Sequence, residues 1–436
     1  MVCLIAAVLS VAPARLALAQ ATGTSSVSHW VTKSHRTGAS KAASSKTSAS
    51  RTAGRSRTGS RTGVAVATSS RTRLATAVVR TSVLYRGRTR SGAHTVLAVR
   101  RTRRGTYERF TGNSFTDSLT LGDATAGEDP VVRAAAIQAL GNMNGTALAI
   151  DPSSGRILAM VNQKLALSSG AEPCSTIKLA VALAALDEGL VTKDTPVNLG
   201  GHYTMTLTKA LALSINPYFE TLGRMLGFER VKHYANEFGL GELAGYNIEG
   251  EQLGVYPDTE LPQSQGGVGR MCSFGESISM TPLQLGALVS AIANGGTLYY
   301  LQHPQSPEEI ASFDPKVKRL LDIAPLIPEM RDGMEGAVDY GTARSLRANF
   351  HEFPVLGKTG TCSDNGTRFG WFASYAETPA GRIVTVFFIE GGRPSFGPHA
   401  AELTGEFYRA LWDRDYFQPK TPQMAETFRK VSGAAE

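Results

Sequence analysis

Acidic residues are missing from the opening stretch of this chain. Residues 1–105 carry 19 Lys or Arg and no Asp or Glu, which leaves 26 basic and 37 acidic residues in 106–436. The formal charge of +8 therefore describes no single part of the molecule. Large apolar residues are also few from 22 to 105, and a Ser/Thr/Arg/Gly/Ala composition cannot bury enough surface to offset chain entropy, so this tract reads as disordered linker. Such a tract suits attraction to an anionic envelope surface or polymer, or serves as a solvated spacer. It is nearly without aromatic rings to stack on bases, so no nucleic acid partner is expected. Cysteine is scarce as well: Cys3, Cys174, Cys272 and Cys362, none with zinc-ligand spacing, so no metal is expected. The reading for the last three is small buried thiols. Long apolar runs are absent. Val2 to Ala14, at 13 residues, is too short to span a bilayer and suits a signal-peptide core, with Ala17-Leu18-Ala19 as the cleavage site. No positive charge precedes that core, so a start further upstream would lengthen it into an anchor. Either way the protein reads as exported, to the periplasm or cell envelope. Repeats are missing too: Pro130 to Leu140 looks like one helix of a helical array, and no second copy follows.

What the chain does contain is organised around Glu172-Pro-Cys-Ser-Thr-Ile-Lys-Leu-Ala-Val-Ala-Leu-Ala-Ala-Leu186, read as one helix buried on every side. Ser175 and Lys178 interrupt it, three residues apart and so on one face. A lysine buried there loses charge and becomes a neutral amine, a general base beside a hydroxyl nucleophile. The bland alternative is a capping serine with a snorkelling lysine. Ser-x-x-Lys alone decides nothing, since chance supplies about one in a chain this long.

Two more clusters follow. Ser214 and Asn216 stand two apart between apolar residues and end at Pro217; alone they read as helix caps. Lys358-Thr359-Gly360-Thr361 lies in an apolar run, where a strand glycine marks close approach by a ligand or another backbone. Lys-Thr-Gly occurs once, against about a tenth of an occurrence by chance. Thr146–Ile150 and Arg156–Val161 flank a Pro/Gly turn and read as a hairpin. Val355–Cys362 and Phe369–Tyr375 flank Asn365-Gly366 and read as another, with Arg382–Ile389 as a third late strand. Helices are expected over 130–140, 218–226, 229–238, 281–293 and 400–412. The last but one carries Thr281, Pro282 and a terminal Asn294-Gly295-Gly296, and its apolar faces suggest burial beside the Ser175 helix. The fold class is α+β: a five-stranded antiparallel sheet built from both chain ends, flanked by N- and C-terminal helices, with a large helical insertion between. The domain reading is 1–21 signal peptide or short anchor, 22–123 basic linker, 124–144 connecting helix, 145–415 the main domain, and 416–436 a tail.

Ser-x-x-Lys, Ser-x-Asn and Lys-Thr-Gly in this order resemble the penicillin-recognising serine enzymes. Phe238-Gly-Leu-Gly241, Gly250 and Ser273 to Gln284 extend the similarity to the transpeptidase domain of class B penicillin-binding proteins, over about residues 145–415. The resemblance implies a serine D,D-transpeptidase acting on peptidoglycan stem peptides, acylated by β-lactams, with no cofactor. It implies Ser175 as nucleophile, Lys178 as its base and Ser214 as proton relay. It places Asn216 on the substrate amide, and Lys358, Thr359 and Thr361 on the carboxylate along the bare backbone of Gly360. The N–H groups of Ser175 and Thr361 would form the oxyanion hole. Ser363-Asp364-Asn365 is a literal Ser-Asp-Asn, yet it follows Lys-Thr-Gly too closely to reach across a cleft and reads as turn chemistry. Cys174 stands where the family often has Gly. Cys174 and Cys362 each adjoin a proposed oxyanion-hole residue, which brings them near each other; export permits a bridge, and two free thiols remain the preferred reading. The alternatives within the enzymes are a D,D-carboxypeptidase or a class D-like β-lactamase. Against the latter stand a missing Tyr-Gly-Asn and the 144 residues from Ser214 to Lys358. Outside the enzymes, the alternative is a β-lactam-sensing or wall-binding module.

Overall fold

The computed structural model describes residues 110–418. The expected leader, nearly all of the basic tract and the tail from 419 lie outside the described residues. Phe110 to Asp123 departs from the linker reading. The Thr111 N–H donates to Gly366 O at 2.8 Å, and Phe115 pairs with Met143. The Asp123 carboxylate accepts from the backbone of Asn162 and Gln163 and from Arg133. These are specific long-range bonds made by polar residues, and composition carries no trace of them.

The major elements are α1 (Pro130–Leu140), β1 (Gly145–Asp151), β2 (Arg156–Val161), α2 (Lys178–Asp187), α3 (Leu207–Leu213), α4 (Asn216–Leu226), α5 (Phe228–Glu237), α6 (Gly267–Phe274), α7 (Pro282–Asn294), α8 (Ile327–Asp339), β3 (Val355–Asp364), β4 (Thr367–Thr378), β5 (Gly381–Gly391) and α9 (Gly397–Trp412). Local chemistry sets many ends. Asp129 caps α1 by accepting from Val131 and Val132, with Pro130 at the first helical position. Thr281 and Gln284 form a reciprocal capping box on α7. Asn365 and Gly366, at φ 48° and 78°, make the two-residue β3–β4 turn, which is where the Ser-Asp-Asn triplet is used.

The five main strands form one antiparallel sheet in the order β2-β1-β5-β4-β3. The two chain ends do meet in it, as the sequence implies. Both faces are covered. Ala147, Ala149, Phe372, Phe387 and Ile389 join α1 and α9 on one side, whereas Leu148, Ile150, Trp371, Val386 and Phe388 face the larger helical core on the other. Period-2 alternation with two dry faces explains runs such as Ile383-Val-Thr-Val-Phe-Phe-Ile389. α7 lies on this sheet: a Cβ at Gly286 would come 2.6 Å from Ile150 Cδ1 and 3.1 Å from Leu148 Cδ2. Sheet contact, more than the expected contact with the Ser175 helix, accounts for its all-round burial.

The stretch 172–186 is not one helix. Cys174–Ile177 is a 3-10 turn, and the α-helix begins at Lys178. Cys174 sits at φ 51°, in the left-handed region where an L-residue costs roughly 1–2 kcal/mol and glycine does not. Glycine would stand there without that cost, which gives the glycine implied by the resemblance a physical reason. Helices α3, α6 and α8 were not expected from the sequence. α8 packs so closely on α3 that a Cβ at Gly333 would lie 2.8 Å from Leu211 Cβ. Among the described residues, no helix is long and apolar enough to cross a membrane.

Candidate active site

Three segments converge at the edge strand β3. The first is the 3-10 turn carrying Ser175, and the sheet holds it in three ways. The Trp371 indole, fully buried on β4, donates to Glu172 O at 3.0 Å. Gly360 on β3 leaves room for the turn, since a Cβ there would meet Pro173 O at 2.9 Å and Thr176 Cγ2 at 3.2 Å. The close approach that Gly360 permits on this face is therefore to the chain's own backbone, one of the two readings that a strand glycine offers. The third tie is covalent: Cys174 and Cys362 form a disulfide with Cα atoms 5.5 Å apart. That overturns the preference for two free thiols. The bridge joins the residue before Ser175 to the residue after Thr361, and it pins Cys174 in its unfavourable backbone conformation. Thiol titration of denatured, unreduced protein should find one thiol, Cys272, among Cys174, Cys272 and Cys362. Reduction should cost roughly 2–4 kcal/mol of stability, read as a fall in Tm, because the bridge closes a long loop. Three thiols would rule the bridge out.

The second segment is the end of α3 and start of α4. Ser214 closes α3 at φ 56°, ψ 46°, and Asn216 opens α4 beside Pro217. The third is β3, with Lys358 fully buried, Thr359 4% exposed and Thr361 exposed. Lys178 joins the first two. Its Nζ lies 2.9 Å from Ser175 Oγ, 3.0 Å from Ser214 O, 3.1 Å from Ser214 Oγ and 2.5 Å from Asn216 Oδ1. Beneath it sits the Phe219 ring, 5.3 Å from the nitrogen to the centroid. Lys358 Nζ donates to Ser214 Oγ at 2.8 Å and to Thr359 O at 3.1 Å. Ser214 Oγ thus bridges the two lysines.

Both lysines are fully buried. Burial, followed by the charge of Lys358, pushes the Lys178 ammonium well below the ordinary lysine range, with Glu220 opposing. Burial brings Lys358 down to about 7. A neutral amine has two N–H donors and one lone pair. Carbonyl oxygens only accept, so the two donors of Lys178 go to Ser214 O and Asn216 Oδ1. The lone pair then faces a hydroxyl, and Ser175 Oγ is the nearer of the two on offer. The arrangement can take a proton from Ser175 without any ionised carboxylate.

Ser175, Lys178, Ser214, Asn216, Lys358 and Thr359 are thus tied through direct contacts. Thr361 stands at the rim, where its Oγ1 accepts the Gly397 N–H at 2.8 Å and keeps its own proton for another partner. Among the described residues no cluster of His, Cys, Asp or Glu could hold a metal ion. No sequence signal points to Thr342, whose Oγ1 lies 2.6 Å from Thr359 Oγ1. Nor does one reveal Glu172, whose carboxyl is pushed up to about 7 by burial and by nearby Glu276 and Asp364. Neither sits in a recognisable spacing.

The chain is similar to several known proteins. Stage V sporulation protein D of Bacillus subtilis is 30% identical over 258 residues, 49% of this chain and 39% of that protein. Peptidoglycan D,D-transpeptidase MrdA of Acinetobacter baumannii is 24% identical over 347 residues, 62% of this chain and 50% of that one. The matched stretches therefore span half or less of these two relatives. Among solved structures, penicillin binding protein 3 from Mycobacterium tuberculosis, complexed with aztreonam, aligns with a TM-score of 0.54 at 23% identity, covering 67% of this chain and 78% of that one. The family model for the penicillin binding protein transpeptidase domain matches residues 145–409, the stretch that holds the sheet, the buried lysine pair and Ser175, and this chain belongs to that family.

Proposed function

We propose that the protein is a serine D,D-transpeptidase that cross-links peptidoglycan stem peptides through an acyl-enzyme on Ser175 and is acylated by β-lactams. The observation that carries this reading is the buried Lys178 Nζ 2.9 Å from the Ser175 hydroxyl, an amine that burial holds well below the ordinary lysine range. Ser175 gives its proton to Lys178 Nζ as its oxygen bonds the substrate carbonyl carbon. The N–H groups of Ser175 and Thr361 receive the developing oxyanion. As the C–N bond breaks, the proton passes from Lys178 through Ser214 Oγ to the leaving amine. Asn216 holds the substrate amide. Lys358, Thr359 and Thr361 hold the terminal carboxylate, and Gly360 contributes by letting β3 sit against the Ser175 turn. The acyl-enzyme then waits for an amine acceptor, because the groups bonded around Ser175 and Lys178 are hydroxyl, amide and carbonyl, with no carboxylate base for water. Export to the cell envelope and attraction of the 22–105 tract to an anionic polymer complete the reading.

The test combines persistence and pH. Incubation with a fluorescent penicillin should leave an adduct that survives for minutes, whereas many rapid turnovers of nitrocefin would make the protein a hydrolase. No labelling at all would favour a wall-binding module. The acylation rate constant should rise with pH as Lys178 loses its proton. It should fall again as pH passes about 7, where Lys358 loses the charge that holds the carboxylate. A profile flat between about pH 6 and about pH 9 would remove Lys358 from that role.

A further inference from the structure

α8 carries none of the three motifs, yet its end reaches both walls of the cleft. The chain leaves α8 through Tyr340 and Gly341. A Cβ at Gly341 would lie 2.1 Å from Ala212 O and 2.8 Å from Ala337 Cα, so only glycine fits between α8 and the end of α3. The next residue, Thr342, donates its N–H to that same Ala212 carbonyl at 3.2 Å, two residues before Ser214. Its side chain reaches the other way, Oγ1 lying 2.6 Å from Thr359 Oγ1 on β3. One residue therefore bonds the Ser214 wall through its backbone and the Lys-Thr-Gly wall through its hydroxyl.

We propose that Thr342 is a positioning residue that orients the Thr359 proton toward the substrate carboxylate. This rests on the functional reading above. A hydroxyl holds one proton. If Thr359 donates to Thr342, it has none for a carboxylate. If Thr342 donates to Thr359, the Thr359 proton is free to point into the cleft. An incoming carboxylate accepts and cannot donate, so it selects the second arrangement. Thr342 then supplies the bond that the Thr359 oxygen needs. Thr359 is only 4% exposed, which leaves little access for water to replace that donor.

The experiment compares acylation of the full chain by benzylpenicillin and by its carboxamide, which lacks the carboxylate, in wild type, Thr342→Val and Thr342→Ser. Thr342→Val keeps the branched shape and removes the hydroxyl. The wild type should prefer the carboxylate form. Thr342→Val should slow acylation by that form about five- to twentyfold and leave the carboxamide rate nearly unchanged, as expected for one lost hydrogen bond next to a charged ligand. Thr342→Ser should restore the preference. Thermal unfolding is measured for every variant, and Thr342→Ala replaces the valine variant if that one does not fold. Equal slowing on both ligands, or an unchanged preference, overturns the inference and leaves the functional reading intact. A folded wild type that neither ligand acylates overturns the functional reading and this inference with it.

Discussion

Ser175→Ala should give a folded protein that takes up no acyl group at all. The only hydrogen bond described for the Ser175 hydroxyl is the one to Lys178. Its loss leaves Lys178 Nζ with Ser214 O, Ser214 Oγ and Asn216 Oδ1, so no buried polar group is stranded. The turn itself is held by Trp371, Gly360 and the disulfide, none of which touches the hydroxyl. Intact-mass measurement after incubation with a penicillin should show one adduct on wild type and none on the variant. An adduct that persists on Ser175→Ala would move the nucleophile elsewhere, and Ser214, bonded to both lysines, would be the next candidate.

Lys178→Met should separate chemistry from stability. Methionine is unbranched and of similar length, so it fills the slot over Phe219. Acylation should drop on the order of a hundred- to ten-thousandfold, the usual worth of a positioned general base. Stability should hold or rise. The folded-state pKa of Lys178 lies below its unfolded value, so folding near neutral pH must strip a proton or bury a charge. That penalty is present below the unfolded pKa and fades only as pH rises toward it. Methionine removes it, while Ser214 O and Asn216 Oδ1 each lose one donor and Lys358 still satisfies Ser214 Oγ. A Tm that holds or rises while acylation fails is the signature of a group kept for function. A fall in both would mean that the side chain was structural.

The sheet was legible because its signals are local. Two apolar runs around a Pro/Gly turn and two around Asn365-Gly366 fix the hairpins, and the motifs ride on them. The break in 172–186 was not legible, since composition there favours helix throughout. The 3-10 turn exists because β3 and β4 grip Glu172, Pro173 and Cys174 from almost two hundred residues away. The disulfide was visible only as a possibility, because a bridge depends on geometry that spacing does not carry. α3 is short and lacks a side-chain cap, and α8 is interrupted by glycines at 333 and 336 that serve packing. Thr342 belongs to no motif; its role comes from where α8 ends in space.

The order of the sheet has a consequence for how the molecule is made. β5 is the middle strand, bonded to β1 on one side and β4 on the other, and it is the last in chain order among the described residues. Until residue 391 has emerged, the early hairpin and the late one share no neighbour, and the grip on the Ser175 turn has no finished frame. Until then the helical insertion lacks the completed sheet face against which part of its core packs. Such long-range pairing folds slowly and leaves sticky intermediates. The nucleophile's geometry is therefore completed late, when Gly381–Gly391 joins the early hairpin to the one that directly precedes it in the chain.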